Sequence, residues 1–432
     1  MADLSSNFLG ISSPNPFWLA SAPPTDKEIN VVRAFEAGWG GVVWKTLGED
    51  PNVVNVNGPR YGAIYSSDRK LIGLNNIELI TDRPLQINLD EIKRVKRDWP
   101  DRAVVVSLMV PCEESNWKSI VKKVEDTGAD GLELNFGCPH GMSERGMGAA
   151  VGQVPEYIEM VTAWCKQYSS LPVIVKLTPN ITDIRLPARA AKAGSADAVS
   201  LINTISSIIS VNLDTMSPEP SIDGWGSHGG YCGPAVKPIA MNMVAEIARD
   251  PETAALPISG IGGITTWRDA AEFMSLGAQN VQVCTAAMTY GFRIIEELTS
   301  GLSQWMDSAG YNKLDDFIGR AIPNVKDWQN LNLNYIAKAK IDQDACISCG
   351  RCHVVCEDTS HQAITSTVNG QRRFEVIDEE CVGCNLCVSV CPVDNCITME
   401  QQTSGVDART GQTIVSEYAN WTTHPNNPSS VS

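Results

Sequence analysis

A chain of 432 residues is too long for one ordinary domain, and long enough for a barrel of about 250 residues with a smaller module attached. Its 43% hydrophobic and 19% charged residues are those of a globular protein, and a net charge of −16 with no basic run argues against nucleic acid as a partner. The opening MADLSSNFLGISSPNPFWLA has no basic start before an apolar core, and apolar stretches such as 103–110 fall far short of a membrane span, so a cytoplasmic place is expected.

Along the chain, short β-branched runs alternate with longer amphipathic stretches. Strands are expected at residues 16–20, 41–46, 103–108, 131–136, 173–177, 198–203, 257–261 and 280–284. Helices are expected between them, for example at 89–97, 117–127, 154–167 and 184–193. Eight strand–helix repeats within about 300 residues favour an α/β fold, a closed (β/α)8 TIM barrel, over an open sheet. The division expected is a barrel over 1–300, a helical connecting arm over 301–340, a ferredoxin-like α+β module over 341–400 and a polar tail over 401–432. In the arm, Trp305, Trp328, Leu331 and Leu333 are available to pack. The tail, rich in Ser, Thr and Asn, is expected to be disordered or to wrap a partner.

The module is defined by its cysteines. Eight of the chain's fourteen fall in two runs, Cys346, Cys349, Cys352 and Cys356, then Cys381, Cys384, Cys387 and Cys391. Each run reads C-x2-C-x2-C-x3-C, and Pro392 follows only the second. This is the spacing of a protein with two [4Fe–4S] clusters, in which the fourth cysteine of each run ligates the other cluster. A tetrathiolate zinc site would need paired C-x2-C and no third cysteine at the same interval. The module is itself acidic, with ten Asp and Glu against three Arg between residues 341 and 400. Such a face could steer a basic redox partner, although a solvated surface explains it too.

Active sites of such barrels gather at the C-terminal strand ends. Those ends read Ala20-Ser21, Lys45-Thr46, Asn135, Lys176, Asn203-Thr204, Gly262-Gly263 and Cys284-Thr285. Lys45 and Lys176 sit in apolar runs, VVWKT and VIVKL, where an unpaired charge would be costly to bury. Gly260-Ile261-Gly262-Gly263 lets backbone N–H groups approach a phosphate in the region after strands seven and eight. A phosphate grip, two strand-end lysines and a fused ferredoxin suggest flavin mononucleotide, FMN. A lysine beside the flavin's pyrimidine edge would stabilise the reduced anion.

Cys138, three residues beyond Asn135, stands before a run with Gly141, Gly146 and Gly148 that reads as a lid. A thiol here could be a core residue, a metal ligand or a proton donor. No ligand-spaced partner accompanies it, and the glycine-rich setting is not that of a core, which favours the general acid. Cys112, Cys165, Cys232, Cys284 and Cys396 lack such context and read mostly as buried thiols.

The segments ELNFGCPHGMSERGMG, GLNNIELI, VKLTPNITD and CVGCNLCVSVCP resemble dihydropyrimidine dehydrogenases, and most of all the pyrimidine-reducing subunit of the bacterial NAD-dependent kind. The resemblance runs from about residue 16 to about residue 400; the broader barrel pattern is shared with dihydroorotate dehydrogenases. It implies FMN in the barrel and reversible reduction of uracil or thymine, with Cys138 delivering a proton to C5 while flavin delivers hydride to C6. It also implies that Asn76, Glu78, Asn135, Asn203 and Thr204 hold the pyrimidine. Ala20, Ser21, Lys45, Thr46, Lys176, Gly262, Gly263, Cys284 and Thr285, with Asn76 and Asn135, match the flavin's surroundings. Gly137 stands where the long animal enzymes usually have Ser, and the loop 205–231 matches the family poorly.

No G-x-G-x-x-G follows a strand, and the nearest segment, Gly260 to Thr265, fails at its last position. Electrons are therefore expected to pass through the clusters to or from a separate FAD- and NAD-binding subunit, in a hetero-oligomer. Two alternatives stand beside this reading. One is a dihydroorotate dehydrogenase-like enzyme acting on another cyclic amide, and the other is a non-catalytic electron-transfer scaffold.

Overall fold

The computed structural model describes residues 2–49, 54–139, 146–367, 370–402, 415 and 417–428. The chain divides into two compact units, Met1–Asn324 and Val325–Ser432. In the first, eight parallel strands close into a barrel in sequence order. They are β1 (Phe17–Leu19), β2 (Gly41–Leu47), β3 (Ala103–Leu108), β4 (Gly131–Asn135), β5 (Val173–Lys176), β6 (Ala198–Leu201), β7 (Ile258–Ile261) and β8 (Ala278–Val283). Each overlaps an expected strand. Their near-continuous burial is that of a parallel sheet covered on both faces. The expected helices overlap Leu85–Asp98, Glu114–Glu125, Pro155–Tyr168 and Arg185–Ala193.

Period-two alternation assigns the two faces. Trp18, Val43, Val105, Ile174 and Ala198 pack together with Phe8 and Ile11 of the N-terminal hairpin, Ser6–Phe8 with Ile11–Ser13, which stoppers one end of the barrel. Phe17, Leu19, Val42, Trp44, Val104 and Val106 face outward into the larger core under the helices. Lys45 lies two residues beyond Val43 and Lys176 two beyond Ile174, so both point inward, toward the open end.

Between the apolar stopper and that open end lies a polar layer centred on Glu133, which is fully buried. Its Oε2 accepts hydrogen bonds from Ser200 Oγ at 2.8 Å and Gln282 Nε2 at 3.1 Å, and Lys176 Nζ lies 3.4 Å from Oε1. A buried carboxylate is tolerated only with partners of this kind.

A four-stranded antiparallel sheet over the open end was not foreseen. Its order is Ile205–Ser207, Gly229–Cys232, Leu71–Asn76 and Tyr61–Tyr65. Half of it comes from the loop 205–231 whose role the sequence left open. Tyr231 lies flat on Gly73, where a Cβ would come within 1.9 Å of its hydroxyl. The strands are short and largely exposed on one side, so they carry little hydrophobic pattern.

The segment 301–340 is not one connecting arm. Leu302 and Met306, on the helix Ile294–Ala309, are buried in the barrel's outer core with Leu314 and Phe317, and Trp305 meets Phe317 edge-on at 5.0 Å. The division between units falls after Asn324. Trp328, Leu331 and Leu333 are exposed, and Trp328 meets Trp421 of the tail at 6.0 Å. The Leu333 N–H donates to Ala419 O at 2.9 Å, so the described part of the tail folds on its own chain.

In the second unit Ala337–Ile341 pairs with Ile397–Gln401, and Ile364–Thr365 with Glu375–Val376. The short helices Arg351–Glu357 and Leu386–Val390 start from Gly350 (φ +84°) and Asn385 (φ +69°), the residues after the second cysteine of each run. The two halves thus turn alike. Among the described residues no helix is long and apolar enough to cross a membrane.

Phe317 lies beyond the boundary that the sequence suggests for the barrel. Phe317→Ala should cost the barrel unit about 3–5 kcal/mol through the cavity left under Trp305. Chemical denaturation followed by tryptophan fluorescence would show it, and an unchanged transition would remove this segment from the barrel core.

Candidate active site

The open end of the barrel and the cap sheet enclose a cavity of about 1160 Å3, its mouth included. Ala20, Ser21, Lys45, Thr46, Asn135, Lys176, Asn203, Thr204, Gly262, Gly263, Cys284 and Thr285 line it from the strand ends. Asn76 and Glu78 line it from the cap side and Cys138 from the segment after β4. The structure brings every residue expected at cofactor or substrate to this one place. Residues 140–145, the centre of the expected lid with Gly141, lie outside the described residues; Gly146 and Gly148 have φ of +68° and +58°.

Charge in the cavity is paired. Lys45 Nζ is 2.5 Å from Glu78 Oε1 and 3.8 Å from Asp26 Oδ2. Lys176 is answered by Glu133 below it. Glu78 also accepts from the Tyr61 hydroxyl and lies 3.6 Å from Arg60 Nη1. Burial, and then the Glu78 carboxylate, raise the Tyr61 pKa, so its hydroxyl stays a donor. Burial likewise raises the Asp26 pKa against the pull of Lys45.

A chain of neutral groups crosses the floor. Ser21 Oγ and Ser107 Oγ lie 3.1 Å and 2.9 Å from Thr46 Oγ1. Asn135 Nδ2 donates to Thr46 Oγ1 at 3.0 Å, and Asn203 Nδ2 donates to Asn135 Oδ1 at 2.9 Å. Asn203 Oδ1 in turn accepts from the Thr204 N–H at 2.8 Å. On the cap side Asn76 Nδ2 donates to Gly230 O at 3.0 Å. Amides held this way keep donor and acceptor capacity for a planar ring whose edge alternates carbonyl and N–H.

At the turn after β7 a side chain is excluded. A Cβ on Gly263 (φ +75°) would lie 2.8 Å from Gly233 O and 2.9 Å from Lys237 Cβ. Gly262 (φ +133°) is crowded in the same way by Ala240, where a Cβ would come to 2.6 Å. Bare backbone therefore borders the cavity beside Thr285. With Lys45 and Lys176 set into the floor, Gln282 Oε1 buried without a hydrogen-bond partner and bare backbone at this turn, the residues present fit a flavin.

Two further thiols line the cavity, Cys284, which the resemblance set at the flavin, and Cys232, which the sequence did not single out. Burial raises the Cys232 pKa, and burial together with Cys232 pushes Cys284 up to about 12. Both stay neutral; Thr285 Oγ1 donates to Cys232 Sγ at 3.3 Å. Cys138 packs beside Ile80, Met109 and Met147, and its carbonyl accepts from the Ala149 N–H at 3.0 Å. Tyr61 and Tyr231 also line the cavity. Both come from the cap sheet, whose pairing no local pattern announces. Cys165 is a core thiol as expected.

In the second unit the cysteines sort into two foursomes. Cys346, Cys349, Cys352 and Cys391 line one cavity; Cys356, Cys381, Cys384 and Cys387 line another. The fourth cysteine of each run has crossed to the other run's site, as a two-cluster ferredoxin requires. A cluster needs thiols spread round a void, and each foursome lines one. Among the described residues no three His, Cys, Asp or Glu side chains close on a single-ion position. Cys396 lines the first cavity as a fifth thiol.

Residues 3–306 match the dihydroorotate dehydrogenase family model, and residues 339–399 match the 4Fe-4S dicluster domain. The chain is 41% identical over 92% of its length to the NAD-dependent dihydropyrimidine dehydrogenase subunit PreA of Escherichia coli (strain K12), of which it covers 95%. It is also 41% identical over 74% of its length to the chloroplastic dihydropyrimidine dehydrogenase (NADP(+)) of Arabidopsis thaliana, of which it covers 77%. A crystal structure of DHODH from Eimeria tenella shares the fold at a TM-score of 0.61 and 21% identity, over 74% of this chain and 92% of that one.

Gly263→Ala should strain the turn by about 1–2 kcal/mol and weaken flavin retention roughly tenfold. Flavin released on denaturation, measured against protein, checks this; full retention would take the turn out of the binding site.

Proposed function

From a chain that belongs to the dihydroorotate dehydrogenase family, and within it to the NAD-dependent dihydropyrimidine dehydrogenase subunits, we propose an enzyme that reversibly reduces uracil or thymine to the 5,6-dihydropyrimidine. FMN lies in the barrel, two [4Fe–4S] clusters lie in the C-terminal unit, and a separate FAD- and NAD-binding subunit exchanges electrons with them in a hetero-oligomer. The free thiols, reserved for metal and chemistry, suit the reducing cytoplasm.

The observation that carries the substrate class is the charge balance of the cavity. Lys45 and Lys176 are each held by a carboxylate, and Glu78 itself adds negative charge at the wall. Neutral pyrimidines need amides and hydroxyls, which Asn76, Asn135, Asn203 and Thr204 offer. Orotate would bring a carboxylate toward Glu78, with the neighbouring ammonium already engaged. Desolvating that carboxylate without a cation is costly. The charge balance therefore favours dihydropyrimidine over dihydroorotate chemistry.

In the reaction, bound FMN supplies hydride to C6 of the pyrimidine. The protein's task is to hold the ring and move one proton. Asn135 and Asn203 fix its carbonyl and N–H edge because each is itself fixed by the next amide or hydroxyl in the floor. Cys138 gives the proton to C5 from its place at the lid base and takes it back in the reverse direction. Lys176 and Lys45, steadied by Glu133 and Glu78, would offer positive charge to a bound flavin.

Turnover with NADH and uracil in the presence of the associated subunit tests the proposal. Uracil should be reduced and orotate should not; the opposite preference would select the dihydroorotate reading. Cys138→Ala should leave the flavin reducible and slow pyrimidine reduction by roughly a hundredfold or more. Near-normal turnover in that variant would remove Cys138 from its role, and protein that releases no flavin would leave only an electron-transfer scaffold.

A further inference from the structure

The cavity of the first cysteine foursome holds one thiol more than a [4Fe–4S] cluster needs. Cys396 is 2% exposed and lines it with Cys346, Cys349, Cys352 and Cys391. Cys391 and Cys346 line the same cavity beside it. Asp342 O lies 3.7 Å from its Sγ.

The backbone holds it there. The Cys396 N–H donates to Val393 O at 3.3 Å, and the Asp342 N–H donates to Cys396 O at 2.8 Å, which ties it to the start of the paired strand Ile397–Gln401. Cys391 precedes it by a turn that contains Pro392. The second cavity has no fifth thiol among the described residues; besides its four cysteines it offers His361.

We propose that Cys396 is a reserve ligand of the first cluster, outside the native four but able to take the iron position of Cys391 when that thiolate is lost. The exchange is balanced without redox change. The iron–sulfur bond to Cys391 breaks, one to Cys396 forms, and the Cys396 proton passes to the departing thiolate or, when Cys391 is absent, to solvent. The two halves of the unit are thereby unequal. One cluster tolerates damage at its fourth ligand, and the other does not.

The inference rests on the two-cluster reading, and the experiment separates the two. The full chain is purified anaerobically as wild type, Cys391→Ala, Cys391→Ala with Cys396→Ala, and Cys356→Ala with His361→Ala. Iron and sulfide per chain are measured, and EPR spectra are recorded after dithionite reduction. Wild type without iron–sulfur signal would overturn the cluster reading itself. With wild type loaded, Cys391→Ala should keep the iron of both clusters with an altered EPR signal. The two double variants should each lose the iron of about one cluster, half the wild-type content.

The reserve role is overturned if Cys391→Ala loses as much iron as the Cys356 double variant. It is equally overturned if removing Cys396 from Cys391→Ala changes nothing. A Cys391→Ala chain that fails to accumulate as folded protein also counts against it, because a rescued cluster should support folding. Cys396→Ala alone should leave iron content at the wild-type level.

Discussion

A carboxylate buried at the centre of the barrel sets the terms for the active site. Glu133 has no water to solvate it, and removing a partner from such a group costs about 3–5 kcal/mol. Ser200, Gln282 and Lys176 answer it from three other strands, so the layer ties β4, β5, β6 and β8 together. The same pairing holds the Lys176 ammonium at the cavity floor. Asn135, two residues beyond Glu133 on the same strand, inherits its inward direction from it. The apolar stopper below keeps water out, and that exclusion makes the pairing obligatory.

Above this layer the site is polar but charge-balanced. Hydroxyls and amides from successive strand ends fix one another in a chain from Ser21 to Thr204, which leaves little rotational freedom to lose when a ring binds. The thiols divide by environment. Cys232 and Cys284 are kept neutral by burial, whereas Cys138 packs against the cluster of Ile80, Met109 and Met147. The cap sheet adds Tyr61 and Tyr231 to the wall of the cavity.

The second unit solves a different problem. With short strands and a small core, its cysteines supply much of its buried surface. With the fourth cysteine of each run crossed to the other site, a cluster bound at either site would staple the two halves together and couple metal binding to folding. The unit is fold and electron path at once.

Much of this was legible in the amino-acid sequence because the signals are local. Eight β-branched runs with helical spacers determined the barrel, since only a closed parallel sheet buries such strands on both faces. Cysteine spacing determined the crossed ligand sets, because the intervals match the cluster's own geometry. Strand-end positions determined the cavity's lysines, asparagines and glycines, because period two sends alternate residues inward. Other features depend on partners far away in the chain. The cap sheet pairs residues 61–76 with 205–232, and its short exposed strands carry no pattern that reveals the pairing. Leu302 and Phe317 join the barrel, and Trp328 meets Trp421, through packing that composition does not announce. The pairing of Lys45 with Glu78 was likewise decided only in three dimensions. A charge's worth depends on what stands within a few ångströms of it, and chain order alone does not set that distance.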